Sequence, residues 1–287
     1  MFIVKHPLNK KRKFNAVSNF ILWQIKSTIW NRSYVHQFTN KSKIFVRKGM
    51  TGATGNLYGG LHEFSDMSFL LHFLRPNDLF IDIGANVGSY TVLASAHCQA
   101  RTVAIEPVPS TNYWIKKNVE LNNIEERVTI LECAVTNKPG KLEFLQDKDT
   151  INHVATTSER YLDIIEVRGD TLDDICHNLK PNLIKIDVEG FETNVVAGGE
   201  MTFQQSNLKC VIMELNGSGN RYGFNDLAIH EKLLKYGFHP YVYDPFRRTL
   251  DHLTSFGVAN TLYIRDVNFV KERISSAEKI LINGIAF

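Results

Sequence analysis

Between residues 79 and 264 short, almost unbroken apolar runs alternate with segments of helical periodicity. Leu79–Ile83 (LFIDI) precedes a helix expected at 88–97, a strand at 102–105 precedes one at 110–121, and 128–135 is a third strand. Leu183–Ile186 leads to a helix at 191–205, and a strand at 210–213 to a helix near 226–236. Two late β-like runs, 239–243 and Asn260–Ile264, close the series. Strands that alternate with helices demand a mostly parallel sheet covered on both faces. Runs as apolar as LFIDI suit strands buried on both sides. The expected fold class is therefore α/β and Rossmann-like.

Two stretches interrupt this rhythm. Residues 49–60 (GMTGATGNLYGG) read as a glycine-rich loop before a helix at about 62–74, which Arg75-Pro76 ends. Residues 141–168 hold two β-like runs, 141–145 and 161–167, around a polar loop. No crossover helix fits between them, so an inserted hairpin is expected. Loops of that length in compact domains are usually functional or disordered.

The chemistry gathers where the strands end. Asp82-Ile83-Gly84-Ala85-Asn86-Val87-Gly88 joins the first strand to its helix. Gly84 allows a sharp turn, and Gly88 allows a ligand or strand to approach the helix. The spacing is GxxxG rather than the GxGxxG that cradles a dinucleotide pyrophosphate. Asp82 can meet a cationic group. Glu106, before Pro107, lies 18 residues after Gly88, where a carboxylate can accept both ribose hydroxyls. A nucleoside with a cationic amino-acid tail fits this set, and S-adenosylmethionine is such a molecule. Glu132 and the Ala134 N–H would flank its adenine, while Ala85 and Asn86 complete the cofactor turn. Asp187 closes the fourth strand and Glu214 the fifth, so both face the crevice beyond the sheet. Asp187 could grip the cofactor ammonium, take a proton or hold a metal with Glu214. Two acids do not complete a metal site, and no resident divalent metal is expected. Glu189 and Glu192 open the next helix, where an acid also stabilises the first turn.

At these residues the chain resembles the FkbM-type methyltransferases, a branch of the class I S-adenosylmethionine-dependent enzymes. The resemblance rests on FIDIGANVGSYT (80–91), VAIEPVPS (103–110), VRGDTLDDI (167–175), LIKIDVEGFE (183–192) and the glycine pair 198–199, and it covers roughly residues 55–265. It implies a seven-stranded sheet with a reversed last strand, which Asn260–Ile264 can supply, and O-methylation of sugars or small molecules. The leading expectation is methylation of a sugar or glycan hydroxyl. A polyketide or other small-metabolite methyltransferase, and a non-catalytic nucleotide-binding module of a glycan-assembly complex, are the competing readings. A hydroxyl needs a base as its proton leaves, and His153, Asp187 and Glu189 are the candidates. Asn152, His153, Glu214 and Asn216 would contact the acceptor.

Composition bears on location and partners. The chain has 287 residues, 44% hydrophobic and 22% charged, enough for a real core. Collagen-like, disordered and disulfide-scaffold classes are excluded. Cysteines at 98, 133, 176 and 210 lack metal-site spacing and read as core residues in a reducing compartment. Residues 1–50 carry 11 Lys and Arg and no acid, whereas residues 51–287 carry 22 basic and 30 acidic side chains. The basic segment is read as a helical extension, residues 51–270 as the catalytic domain and residues 271–287 as a tail. The apolar run at Phe20–Trp23 stops at Gln24, too short for a secretory leader, so a cytoplasmic protein is expected. Residues 13–31 form an amphipathic helix with Phe14, Val17, Ile21, Leu22, Ile25 and Ile29 on one face. That stripe would pack on the domain, or else lie on an anionic membrane at its inner face near a lipid-linked glycan. Nucleic acid is not an expected partner, since the basic run lacks interleaved aromatics and the body is acidic.

Overall fold

The computed structural model describes residues 2–30, 32–145, 152–156, 159 and 163–287. The chain opens with α1 (Phe2–Lys5) and α2 (Lys13–Ile29), then a hairpin of β1 (Tyr34–Thr39) and β2 (Ser42–Val46), then α3 (Thr51–Gly59) and α4 (Phe64–Phe73). Residues 34–46 are thus a β-hairpin within the segment expected to be helical. It docks sideways on a later helix, where Phe45 N donates to Asn118 Oδ1 at 2.7 Å. Leu8, Trp23, Phe38, Ile44 and Val46 share one buried cluster with Phe69 and Phe80.

The glycine-rich stretch expected as a loop is α3. Its small residues are what let it pack: a Cβ on Gly55 would lie 2.4 Å from the His62 ring. Asn56 reinforces it, donating to Gly52 O and Ser89 Oγ and accepting from His62 N. Tertiary contacts here override weak helix propensity.

The central sheet contains β3 (Leu79–Ile83), β4 (Arg101–Ile105), β5 (Val128–Leu131), β10 (Leu183–Ile186), β11 (Cys210–Glu214), β12 (His239–Asp244), β13 (Thr249–His252) and β14 (Asn260–Ile264). Across the sheet the order is β13-β12-β14-β11-β10-β3-β4-β5. Strands β5, β4, β3, β10 and β11 are parallel, and β14 runs antiparallel between β11 and β12. The late, reversed strand expected from the resemblance is therefore present. The sheet has eight strands rather than seven, because the short polar run TLDH adds an edge strand at β13. After β3 the chain adds β4 and β5 on one side and then returns to add β10 and β11 on the other, so the strand order switches between β3 and β10, and that is where a crevice opens at the strand carboxyl ends.

Several helices differ from expectation. The helix after β3 is a short α5 (Ser89–Val92) that continues as a wider turn over Leu93–His97. Helix α6 (Pro109–Asn122) follows β4. The segment 191–205 is two helices, α8 (Glu192–Ala197) and α9 (Glu200–Gln204). They part at Gly198, where a Cβ would lie 2.0 Å from Thr136 O. Helix α7 (Leu172–Ile175) precedes β10, and α10 (Asp226–Lys235) precedes β12. The segment read as a tail from residue 271 holds the end of α11 (Val267–Ser276) and a buried Phe287 that meets Phe64 edge-on.

The expected strand 128–135 splits after β5, and its end joins a second sheet of order β6-β9-β7-β8. Here β6 is Ala134–Val135, β7 Gly140–Leu145, β8 His153–Val154 and β9 Ile164–Asp170. Strands β7 and β9 pair antiparallel, which is the inserted hairpin. The hairpin's expected tip at 146–151, and Tyr161 at the start of its second run, lie outside the described residues.

On helix α2 the expected stripe does not face the core. Ala16, Trp23 and Ser27 are buried instead, and Phe14 is 85% exposed.

Candidate active site

The crevice at the strand ends is a cavity of about 250 Å³. Among the expected site residues, Asp82, Gly84, Ala85, Asn86, Glu106, Pro107, Ala134, Asn152, Asp187, Glu189 and Glu214 line it. One wall is the turn after β3. Gly84 has φ +77, and a Cβ there would sit 1.8 Å from Asp187 O. Only glycine lets the two strand ends approach so closely. Gly84→Ala should destabilise the fold by about 1–3 kcal/mol through overpacking alone. A denaturant titration checks this, and an unchanged midpoint would mean the turn shifts freely.

The turn is tied to the next strand. Gly84 N and Ala85 N both donate to Ile105 O at 3.0 Å. Glu106 follows, with Oε2 accepting from Asn86 N at 3.0 Å and Oε1 from Val108 N at 3.1 Å. Each carboxylate oxygen retains a lone pair for a further donor. Burial, against these bonds, raises the Glu106 carboxyl to about 7. Ile105, Pro107, Cys133, Ala134 and Val135 form an apolar slot beside it. Asp82 is buried at the head of the turn and accepts from Thr91 Oγ1 at 2.6 Å. Burial raises its pKa as well, although Lys185 opposes the shift.

The opposite wall is acidic around one buried cation. Lys185, 3% exposed, donates to Asp187 Oδ2 at 2.6 Å and stands over the Tyr90 ring at 4.8 Å. Burial disfavours its charge, but Asp187, Glu63 and Asp82 reverse this and raise its pKa. Burial likewise works to raise Asp187, and Lys185 outweighs it, leaving that carboxyl below its ordinary range. Tyr90 donates to Glu63 Oε2 at 2.8 Å, and Asn260 Nδ2 donates to Glu63 Oε1 at 2.7 Å.

Carboxylate oxygens of Asp187, Glu189 and Glu214 lie within 4.8 Å of one another. Burial and then Asp187 raise Glu214 to about 9, and the same two causes raise Glu189 to about 7. Near neutral pH, Glu214 thus holds its proton while Asp187 is ionised. Glu189 sits at φ +55, a left-handed conformation rare outside glycine. It precedes α8 rather than opening it. The carboxylate that caps the turn is Glu192, whose Oε1 accepts from Val188 N and Gly190 N.

Four expected site residues are not brought to the cavity. Asn152 and Val154 line it, so His153 between them points to the other face of β8, as strand alternation requires. Its imidazole is buried against Glu159, with Nε2 to Oε1 at 3.1 Å. Glu132 turns outward and pairs with Lys116. Asn216 is exposed and its Oδ1 accepts from Ser218 N at 2.8 Å, closing a local turn. Gly88 stands outside the lining as the left-handed residue before α5.

Lys185, Tyr90 and Glu63 were not singled out from the sequence. The available signal was a lysine inside the apolar run LIKI, since a lysine on a doubly covered strand must be paired.

Comparison with known proteins finds relatives of this chain. The family described as "Methyltransferase FkbM domain" matches residues 82–240. The chain is 29% identical over 166 residues to the hexuronic acid methyltransferase AglP of Haloferax volcanii, covering 57% of this chain and 66% of that protein. It is 22% identical over 179 residues to a tRNA(Phe) (4-demethylwyosine(37)-C(7)) aminocarboxypropyltransferase of Pyrococcus horikoshii, covering 58% and 63%. To the 31-O-demethyl-FK506 methyltransferase FkbM of Streptomyces tacrolimicus it is 26% identical over 181 residues, covering 48% and 66%. The matched part of the chain thus spans just under two thirds of each relative's length.

Proposed function

The chain belongs to the FkbM methyltransferase domain family, and from that premise we propose that it transfers a methyl group from S-adenosylmethionine to a hydroxyl of a sugar or glycan. The observation that carries the acceptor class is the acidic wall. Glu214 Oε2 is buried and has no hydrogen-bond partner among the described residues, beside Asp187 and Glu189. Together Asp187 and Glu189 offer acceptor oxygens and the protonated Glu214 adds a donor, a mixed set that suits the hydroxyls of an alcohol-rich molecule. Phe191 and Val188 border them and suit the C–H face of a sugar ring. The hexuronic acid specificity in the name of the Haloferax relative agrees with this class. The FK506 relative supports a second reading, a small metabolite as acceptor. Acceptors should be screened by mass spectrometry for the added mass of one methyl group. Methylation of a metabolite panel but of no sugar would favour the second reading. A thermal shift with S-adenosylhomocysteine separates either enzyme from a non-catalytic module, because selective binding raises stability.

The residues present fit the cofactor. Glu106 has two lone pairs left for the ribose hydroxyls, and the slot at Ile105, Pro107 and Ala134 would take the adenine. Asp82 would meet the ammonium, and Gly84 with Ala85 gives the close backbone wall. When bound, the cofactor supplies an electrophilic methyl on a sulfonium. The chain must then hold a hydroxyl oxygen about 3 Å from it, in line with the sulfur. Asp187 is held by Lys185 and is a weak base. Glu189, near 7, is poised to take the hydroxyl proton.

Glu106→Ala should weaken cofactor binding about 10- to 100-fold, since charge-assisted hydrogen bonds contribute roughly 1.5–3 kcal/mol each and water replaces part of that. In the wild type, affinity should also fall as the pH drops below about 7, where Glu106 takes up a proton. Calorimetry across pH measures both effects. An affinity that neither the substitution nor acid changes would remove Glu106 from the ribose.

A further inference from the structure

Helix α2 rests on the body by one face and leaves the opposite face open. The packed side carries Ala16, Trp23 and Ser27, with Trp23 edge-on to Tyr34 at 5.3 Å and Phe20 edge-on to Tyr58 at 5.0 Å. At about 100° per residue, Phe14, Ile21, Leu22, Ile25 and Ile29 fall on the other side in an arc of roughly 100°. They are 85%, 51%, 49%, 51% and 64% exposed. A contiguous apolar patch on a folded surface marks a site of attachment.

The charges beside this stripe are of one sign. Lys11, Lys13 and Lys26 are exposed on and just before the helix. The first 50 residues hold 11 basic side chains and no acid, although acids outnumber bases 30 to 22 in the rest of the chain. A second copy laid face to face would bring like charges together. A bilayer bearing anionic headgroups offers both an apolar interior and the opposite charge. We propose that α2 is an interfacial anchor that lays this stripe into the surface of an anionic membrane. The apolar side chains enter the acyl boundary while the lysines stay at the phosphates. No helix among the described residues is long and apolar enough to cross a membrane, so the contact is peripheral.

The anchor also positions the cavity. The packed face of α2 rests on α3, with Gln24 Nε2 donating to Tyr58 OH at 3.2 Å, and the first residues of α3, Thr51 and Gly52, line the cavity. Helix α3 would then link the membrane-facing helix to the wall of the cavity. Delivery of a lipid-linked acceptor from that surface rests on the glycan reading; the anchoring itself does not.

The test uses the full chain with phosphatidylglycerol and phosphatidylcholine vesicles in a sedimentation assay. The protein should bind phosphatidylglycerol vesicles at low salt, release them at high salt and ignore pure phosphatidylcholine. The pair Ile21→Ser and Ile25→Ser should lower partitioning ~10- to 100-fold, because partial burial of each side chain is lost. Replacing Lys11, Lys13 and Lys26 by Gln should lower it ~100-fold at low salt. All these side chains are exposed, so circular dichroism and thermal midpoints should stay at wild-type values. Failure to bind anionic vesicles at low salt, or serine variants that bind like wild type, would overturn the proposal. A wild-type dimer that the serine pair turns into a monomer, without vesicle binding, would assign this face to a second copy and overturn it equally.

Discussion

Glu189→Gln should lower turnover about 10²–10⁴-fold while cofactor affinity stays nearly intact, the range expected when a general base is lost. The amide keeps the size and the left-handed backbone of Glu189 but cannot accept the proton. Three features select this residue. It lines the cavity, its carboxyl lies near 7 because of burial and the neighbouring Asp187, and its competitors are compromised. Asp187 is tied to Lys185 at 2.6 Å, and His153 faces away from the cavity. The pH dependence carries the sign of a base: activity should be lost as pH falls through about 7, where Glu189 becomes protonated. At saturating cofactor, where protonation of Glu106 no longer limits the rate, that acidic limb should vanish from the turnover of the glutamine variant. A variant with full turnover, or one that keeps the limb, would return the role to Asp187 or to water.

Lys185→Met should cost about 3–5 kcal/mol of stability, the usual penalty for removing one partner of a buried ion pair. Methionine fills much of the same volume, so the loss is chiefly electrostatic. It leaves Asp187 and Asp82 facing each other without the cation that offsets their burial. The pH test separates this from a packing defect. The wild-type Asp187 pKa is depressed by Lys185, so the stability this pair contributes is present above the ordinary aspartate range and is lost as pH falls through the folded value. The gap between variant and wild type should therefore be widest at neutral pH and narrow below about pH 4. Denaturant midpoints at both pH values measure it. A gap constant across pH would mean that the methionine packs badly and that the charge matters little.

The central strands and the acids at their ends were legible because both follow from rules that need no distant partner. A strand covered on both faces must be apolar throughout, which marks LFIDI and LIKI. A parallel sheet opens its crevice at the carboxyl ends, which brings Asp82, Glu106, Asp187 and Glu214 to one cavity. The GxxxG turn was legible from its local glycine spacing, and Gly84 takes a φ of +77 that glycine adopts without strain.

Direction and partnership were not legible. Asn152 and His153 are adjacent in one polar loop, and a single step along β8 decides which of them meets the cavity. Strand register makes that decision, and register depends on pairing with β7. Glu132 and Asn216 stand outside the cavity, each with a nearer partner, Lys116 or the Ser218 amide. The glycine-rich run at 51–59 became a helix only because His62 and Ser89 close around it. Helix α2 shows the limit most plainly. Its periodicity established on sequence alone that one face is apolar. Which face meets the body was decided by Tyr34 and Tyr58, whose rings take Trp23 and Phe20 and leave the aliphatic stripe outside. Sequence thus determined the central strands and the acids that close β3, β10 and β11, because apolar runs and their ends depend on neighbours along the chain. The tertiary structure alone decided which side chains face which surface, because burial is conferred by residues far away in sequence.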